Sequence, residues 1–204
     1  MILRLALAAS LVLAAAPLYA TTYTIEPDYT QAVFRWSHLG FSNPAAQLSQ
    51  GQGTLEFDPA NPTRAAVNVT IALSSLNTGV PALDEHLRSE DFFEVAKFPT
   101  ASFRSTKVEQ GAGKDRLKVT GELNLHGITR PVTLDVTVLK IGANPRTQLP
   151  TVGFEATTTL KRSDFGLGAF VPQVSDEIRL QLSSQAVEAK GYAEYLKKQA
   201  EKKQ

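Results

Sequence analysis

The sequence of 204 residues has no cysteine, and its single methionine is Met1. Without cysteine, neither a disulfide framework nor a lipid-modified cysteine can form. An excess of one charge is also missing, because 21 Lys and Arg oppose 20 Asp and Glu. After residue 20, no apolar run approaches the ~20 residues that span a bilayer. The balanced charge and the lack of a long apolar run give no reason to expect nucleic-acid binding or stable membrane insertion. Because no disulfide can form, the fold must be stabilised by its hydrophobic core.

The amino terminus has the pattern of an export signal. Met1–Arg4 is a short positive start, Leu5–Ala16 is an almost unbroken apolar run, and Pro17–Ala20 ends in a small residue. This order predicts a secretory signal peptide over residues 1–20, with a mature chain that begins at Thr21. An uncleaved anchor is the alternative, because Leu18 is bulkier than the residue preferred there.

Apolar and polar residues alternate over most of the chain, from about residue 22 to residue 185. Val67, Val69 and Ile71 share one face of an extended segment, and the same period of two returns around Val132 and Leu180. Such alternation is typical of antiparallel strands with one apolar and one solvated face. Turn signals separate eight or nine such segments, which indicates a sandwich or a barrel. Closure removes exposed strand edges, so we expect an all-β fold with a single antiparallel eight-stranded barrel.

Two segments break the alternation. The first, residues 81–97, places Leu83, His86 and Leu87 at helical spacing after a proline suited to a helix start. It predicts one helix or two short helical turns inserted in the barrel. The second, residues 187–204, is rich in Ala, Glu and Lys and predicts a charged helical tail.

Several sequence blocks carry a family resemblance. The chain resembles the YceI-like family of periplasmic, lipocalin-like proteins that bind polyisoprenoid lipids. The match runs from about residue 22 to 186, and one departure, at Asn43–Gln47, is expected to reshape the loop after the first long strand. The matching blocks are Val33–Ser42 (VFRWSHLGFS), Leu76–Gly79, Asp84–Phe93 (DEHLRSEDFF), Lys97–Phe103, Gly121–Val132 (GELNLHGITRPV), Arg162–Gly166 and Val174–Ile178.

The resemblance implies a lipid-binding barrel domain over residues 21–186, located in the periplasm. Its ligand would be a polyisoprenoid or another long-chain lipid, held in the interior for transport or storage, and the resemblance also implies homodimers. An eight-stranded barrel is just wide enough for one slim ligand or for its own side chains. No cofactor is expected.

Aromatic and aliphatic side chains supply the candidate ligand wall. Each ring can instead fill the core, as aromatic residues in β-proteins usually do. The resemblance favours a ligand-binding role for them as a group. The candidates are Phe34, Trp36, His38, Phe41, Leu83, Leu87, Phe92, Phe93, Phe98, Phe103, Phe165 and Phe170.

Charged residues near these rings are candidates for contact with a ligand head group or for holding a lid. The alternative is structural pairing, in which Asp164 caps a turn and Arg88 ties the helix to the barrel. The residues concerned are Asp84, Arg88, Asp91, Arg162 and Asp164.

An enzymatic role has less support in the sequence. His38, His86 and His126 are the three histidines, and none shows the close pair spacing of a metal-binding helix. No Gly-x-Ser-x-Gly segment marks a nucleophile. We therefore expect a binding protein with no metal. A scaffold for interaction or envelope stress, and a histidine-dependent hydrolase, are the alternatives.

Overall fold

The computed structural model describes residues 20–202, and nearly all of the predicted signal peptide lies outside the described residues. Two helices accompany the strands: α1 spans Pro81–Arg88 and α2 spans Ala189–Glu201. The ten strand segments are β1 Thr21–Ile25, β2 Gln31–Arg35, β3 Ala45–Ser49, β4 Gln52–Phe57, β5 Ala66–Ala72, β6 Thr100–Gln110, β7 Arg116–Leu125, β8 Ile128–Ala143, β9 Pro150–Lys161 and β10 Glu177–Glu188.

The strands form one closed antiparallel sheet. β1 pairs with β4 on one side and β10 on the other, and β5 to β10 follow in order around the ring. β10 pairs with β2 through Arg179–Ser183 and with β1 through Ala186–Glu188, so β1 and β2 are two halves of one interrupted strand. β3 and β4 are related in the same way, with a break at Gln50–Gly51. Counting each interrupted pair once confirms the predicted eight-stranded barrel.

The period of two places apolar side chains inside the barrel. Leu117 and Val119 of β7 and Val132, Leu134 and Val136 of β8 are buried, while the residues between them on β8 face solvent. The alternation in sequence therefore follows from the pleat of the strands.

The two ends of the barrel differ. At the base, where β4 ends and β9 begins, Phe57 and Val152 are almost wholly buried, and the ring of Phe57 meets that of Phe154 edge-on at 5.9 Å between centroids. At the mouth, where β5 and β9 end, the inward strand side chains surround a space. Loops and α1 cover this end instead.

Helix α1 covers only the first half of the segment predicted as helical. Its last turn ends at Ser89, whose backbone is extended, and residues 89–98 follow as successive turns. Among these turns, the Phe93 amide donates to the Leu87 carbonyl at 3.0 Å, and the Phe98 amide donates to Glu94 at 2.9 Å. Since Leu87 is buried, the short helix is held by packing on the barrel.

Helix α2 begins two residues later than the predicted tail, because β10 keeps pairing through Val187. Glu188 caps the helix, and its carboxylate accepts hydrogen bonds from the amides of Lys190 and Gly191 at 3.0 and 2.7 Å. The Tyr192 hydroxyl lies 3.5 Å from the carboxylate of Glu26. Burial is the largest cause that raises the pKa of Tyr192, and the negative charge of Glu26 is the second. Within residues 20–202, neither helix has the length and apolar character needed to cross a membrane.

Candidate ligand-binding site

The mouth half of the barrel encloses a cavity of about 540 Å³. This volume lies within the range of small-molecule sites, about 300–1,000 Å³. Strands β2 and β5 to β10 supply most of the wall, and α1 and the loops at the mouth supply the rest. The aliphatic part of the wall is formed by Ala32, Leu39, Leu48, Val69, Ile71, Leu83, Leu87, Ala101, Leu123, Leu125, Val132, Leu134, Leu160, Leu167, Val174, Ile178, Leu180 and Leu182.

An aromatic group occupies one side of the cavity. Phe34 of β2 lies 5.9 Å from Trp36, which follows that strand, and 5.9 Å from Phe93, with ring planes 31° and 70° apart. Phe103 and Phe165 are buried in the same core. The rings thus extend the hydrocarbon wall from β2 to the segment after α1.

The mouth is covered by side chains from loops. Phe92, after α1, meets His86 edge-on at 5.0 Å between ring centroids. Phe170 lies 6.1 Å from Phe92 and 6.4 Å from His86, and it is 60% exposed. Leu39 also lines the cavity and is 51% exposed. Because these side chains belong to loops and a short helix, a ligand could pass this end without breaking the sheet.

Arg162 anchors the loop that carries Phe170. Its guanidinium donates to three carbonyls, those of Ser175 at 2.9 Å, Val174 at 3.1 Å and Leu167. Only 8% of Arg162 is exposed, and burial lowers its pKa while the charge of Asp176 opposes that effect. Both ends of the loop are therefore tied to one side chain at the cavity wall.

A model of the YceI-like domain matches residues 23–186 of the chain. The chain belongs to the YceI-like family.

Relatives named Protein YceI share this membership. Those of Escherichia coli O157:H7 and of Salmonella arizonae are each 38% identical over 184 residues, covering 89% of this chain and 95% of the relative. A YceI protein from Campylobacter jejuni superposes with a TM-score of 0.65 and 27% identity, covering 76% of this chain and 90% of that one. A polyisoprenoid-binding domain from Saccharophagus degradans has a TM-score of 0.66, covering 83% of this chain and 99% of that one, but at 16% identity it shows the fold alone.

Most of the predicted wall residues of this YceI-like protein do line the cavity. They come from β2 and the residues after it, from α1 and the turns after it, from β6, and from the loops after β9. The ten residues are Phe34, Trp36, His38, Leu83, Leu87, Phe92, Phe93, Phe103, Phe165 and Phe170.

Phe41 and Phe98 do not line the cavity. Phe41 is 92% exposed, because the chain between His38 and Ser42 turns back on itself and directs this ring away from the barrel. Phe98 packs on His126 at 4.7 Å between ring centroids. Its ring lies against Gly127 of the β7–β8 turn, where a Cβ would approach it to 2.6 Å. Both were predicted as ligand contacts from their neighbours in sequence, which tertiary packing separates from the cavity.

Of the candidate head-group residues, only Arg162 lines the cavity. Asp84 accepts hydrogen bonds from the hydroxyl and the amide of Thr78, both at 2.6 Å, and the hydroxyl is the largest cause of its lowered pKa. Arg88 donates to the carbonyl of Leu76. These contacts are structural pairings that hold α1 on the preceding turn. Asp164 is exposed and lies outside the lining.

His86 also lines the cavity, although it is not among the predicted ligand contacts. In the sequence it is a candidate for metal binding or hydrolysis, but its spacing from Leu83 and Leu87 places all three on one helical face. Most aliphatic wall residues were also left out. They could have been identified, because alternate residues of each strand face the barrel interior. His126 lies elsewhere, with Nδ1 3.1 Å from the Phe165 carbonyl. Among residues 20–202, no three metal-ligating side chains form a cluster.

Proposed function

We propose that this protein binds one long-chain, lipid-like molecule of the polyisoprenoid kind in the barrel cavity. The observation that carries the proposal is an apolar cavity of about 540 Å³ inside the barrel. Packed side chains fill the base of the barrel below this cavity, and loops cover its mouth. Such a space suits a slim molecule that enters from one end. The structural neighbour from Saccharophagus degradans is a polyisoprenoid-binding domain, which supports the same ligand class.

Burial of hydrocarbon supplies the affinity. Each buried methylene contributes about 0.8 kcal/mol, so ten of them would contribute about 8 kcal/mol before ordering costs. Before those costs are subtracted, about 8 kcal/mol corresponds to a dissociation constant of about 1 μM. No catalytic chemistry is needed, so we propose a carrier rather than an enzyme.

We further propose that the protein transports or stores this lipid in the periplasm. The predicted signal peptide over residues 1–20 supports export, and membership of the YceI-like family supports the setting. A carrier in an aqueous compartment needs to shield a hydrocarbon chain from water, and a barrel with a filled base suits that need.

Filling the cavity tests the proposal. Ala101 lines the cavity on β6, and Ala101→Phe would direct a ring into it. Ala72, on the neighbouring β5, is exposed, so Ala72→Phe is a matched control with the same change of side chain. Native mass spectrometry of proteins exported to the periplasm should show a co-purifying lipid in wild type and Ala72→Phe, and little or none in Ala101→Phe. An empty wild-type protein that also fails to take up added prenol would overturn the proposal.

A further inference from the structure

The ionisable side chains of the cavity wall are all bases. His38, His86 and Arg162 line the cavity, and no Asp or Glu of the described residues does so. The other polar side chains in the wall are Thr30, Gln31, Ser102 and Gln173. A ligand head group inside this wall would therefore meet imidazole, guanidinium, amide and hydroxyl groups and no carboxylate.

These bases lie together at the mouth. His38 follows β2 and forms a bridge with Val174, and the next amide, of Leu39, donates to the carbonyl of Gln173 at 3.1 Å. His86 is on α1, and Arg162 directly follows β9. The mouth is also where the polar end of an amphiphile would sit, because the chain fills the apolar interior toward the base.

Carboxylates of the same region are directed to other partners. Asp84 accepts from Thr78, and Asp176 accepts from the amide and the hydroxyl of Ser163 at 2.9 and 2.7 Å. Asp91 lies 4.0 Å from Nδ1 of His86, but its side chain is 67% exposed and it is not part of the wall. An ammonium group inside the cavity would thus have no direct counter-charge there.

Arg162 places a buried positive charge at the mouth of the cavity. It is more than nine-tenths buried, and no carboxylate of the described residues lies within ion-pair distance of it. Three hydrogen bonds to carbonyls leave two of the five guanidinium N–H groups free for another acceptor. In surroundings of low polarity, an anion or a carbonyl is favoured beside this charge and a second cation is disfavoured.

We infer that the head group of the ligand accepts hydrogen bonds, as a carboxylate, a phosphate or a carbonyl does, and that His38, His86 and Arg162 form its subsite. The same residues disfavour amphiphiles with a cationic head group. This inference rests on the proposed lipid-binding function and specifies which lipids the site accepts.

Amphiphiles with the same chain and different head groups test the inference. Hexadecanoate, hexadecyl phosphate, methyl hexadecanoate and hexadecyltrimethylammonium would each displace a fluorescent fatty-acid analogue at pH 6.5, below their critical micelle concentrations. We expect the two anions to bind at least about tenfold more tightly than the cation, a difference of about 1.4 kcal/mol. The neutral ester should lie between them.

The variant His38→Phe/His86→Phe checks the assignment to these side chains. It keeps the apolar bulk of the rings and removes their nitrogen atoms, so affinity for the anions should fall about tenfold. Affinity for the cation should stay the same or rise. Equal binding of all four amphiphiles by the wild-type protein, or tighter binding of the cation, would overturn the inference and leave the lipid-binding function intact. Failure of all four to bind, with the fluorescent analogue also unbound, would instead count against the function itself.

Discussion

The rings of Phe92 and Phe170 face each other across the mouth of the cavity, with their centroids 6.1 Å apart. Phe92 belongs to the turns after α1, whereas Phe170 belongs to the loop between β9 and β10, and no strand pairing joins these two segments. Contact between the rings is therefore part of what closes the cavity. Phe170 also has a backbone φ of 63°, which a phenylalanine adopts at a cost.

Shortening Phe170 should open the mouth. In Phe170→Ala, we expect a bound lipid to dissociate about tenfold faster, since affinity changes usually appear in the dissociation rate. Stopped-flow transfer of a fluorescent fatty acid to vesicles would measure this rate. The free energy of unfolding should change by less than about 1 kcal/mol, because the side chain is 60% exposed. Phe41→Ala is the matched control and should leave the rate unchanged.

Gly53 is required by the close approach of β4 and β5. A Cβ at this position would lie 1.9 Å from the carbonyl oxygen of Asn68 and 2.9 Å from Cα of Val69. Because these are backbone atoms of a closed barrel, Gly53→Ala should lower the free energy of unfolding by more than about 2 kcal/mol. Urea denaturation would measure this. Gly142→Ala, where nothing lies within 4 Å of the added Cβ, should cost less than about 1 kcal/mol, and equal effects would contradict the explanation.

Arg162 should not be replaceable by lysine. The ammonium group of Arg162→Lys cannot reach three carbonyls in the planar arrangement that the guanidinium uses. We expect a loss of about 3 kcal/mol in stability and faster proteolytic cleavage within residues 166–174. Arg104→Lys, on the exposed face of β6, provides the control. If both variants resisted protease equally, Arg162 would not be the anchor of this loop.

Acid should weaken the attachment of α1. The hydrogen bond from the Thr78 hydroxyl is the largest cause that lowers the pKa of Asp84 below that of the unfolded chain, and the hydrogen bond from the Thr78 amide lowers it further. The stabilisation is therefore complete above the unfolded pKa of about 3.9 and is lost as pH falls through the lower, folded value. Asp84→Asn should be less stable than wild type at pH 7, and the gap should narrow below about pH 4. Urea titrations from pH 7 to pH 2.5 would show this, and a gap that stays constant would contradict the assignment.

Much of the barrel could be predicted from local patterns. Alternation on β5, β7 and β8 identified strands and their inward residues, and the turn signals between runs separated them. The sequence did not show that β1 and β2, or β3 and β4, are the two halves of one interrupted strand. Each half-strand alone shows an ordinary extended pattern, and only the pairing of β10 with both β1 and β2 reveals that they form one interrupted strand.

For the candidate site, some of the predicted residues line the cavity and others do not. The predicted aromatic residues on β2 and near α1 line the cavity, whereas Phe41 and Phe98 do not. Both lie in turns, where side-chain direction follows the tertiary path of the chain rather than a period of two. His86 was left out although it shares a helical face with Leu83 and Leu87, because a histidine among charged residues on a short helix is equally suited to solvent.

The sequence by itself determined which residues of each strand face inward, because the pleat of an extended chain alternates side chains whatever the rest of the fold does. It also indicated the main turns between the long strands. Only the tertiary structure decided which inward residues fill space and which surround it. At the base, Phe57 and Phe154 converge and fill the interior, whereas at the mouth the facing strands carry residues whose side chains do not meet. That difference depends on side chains from strands far apart in sequence, and it leaves the cavity at one end of the barrel.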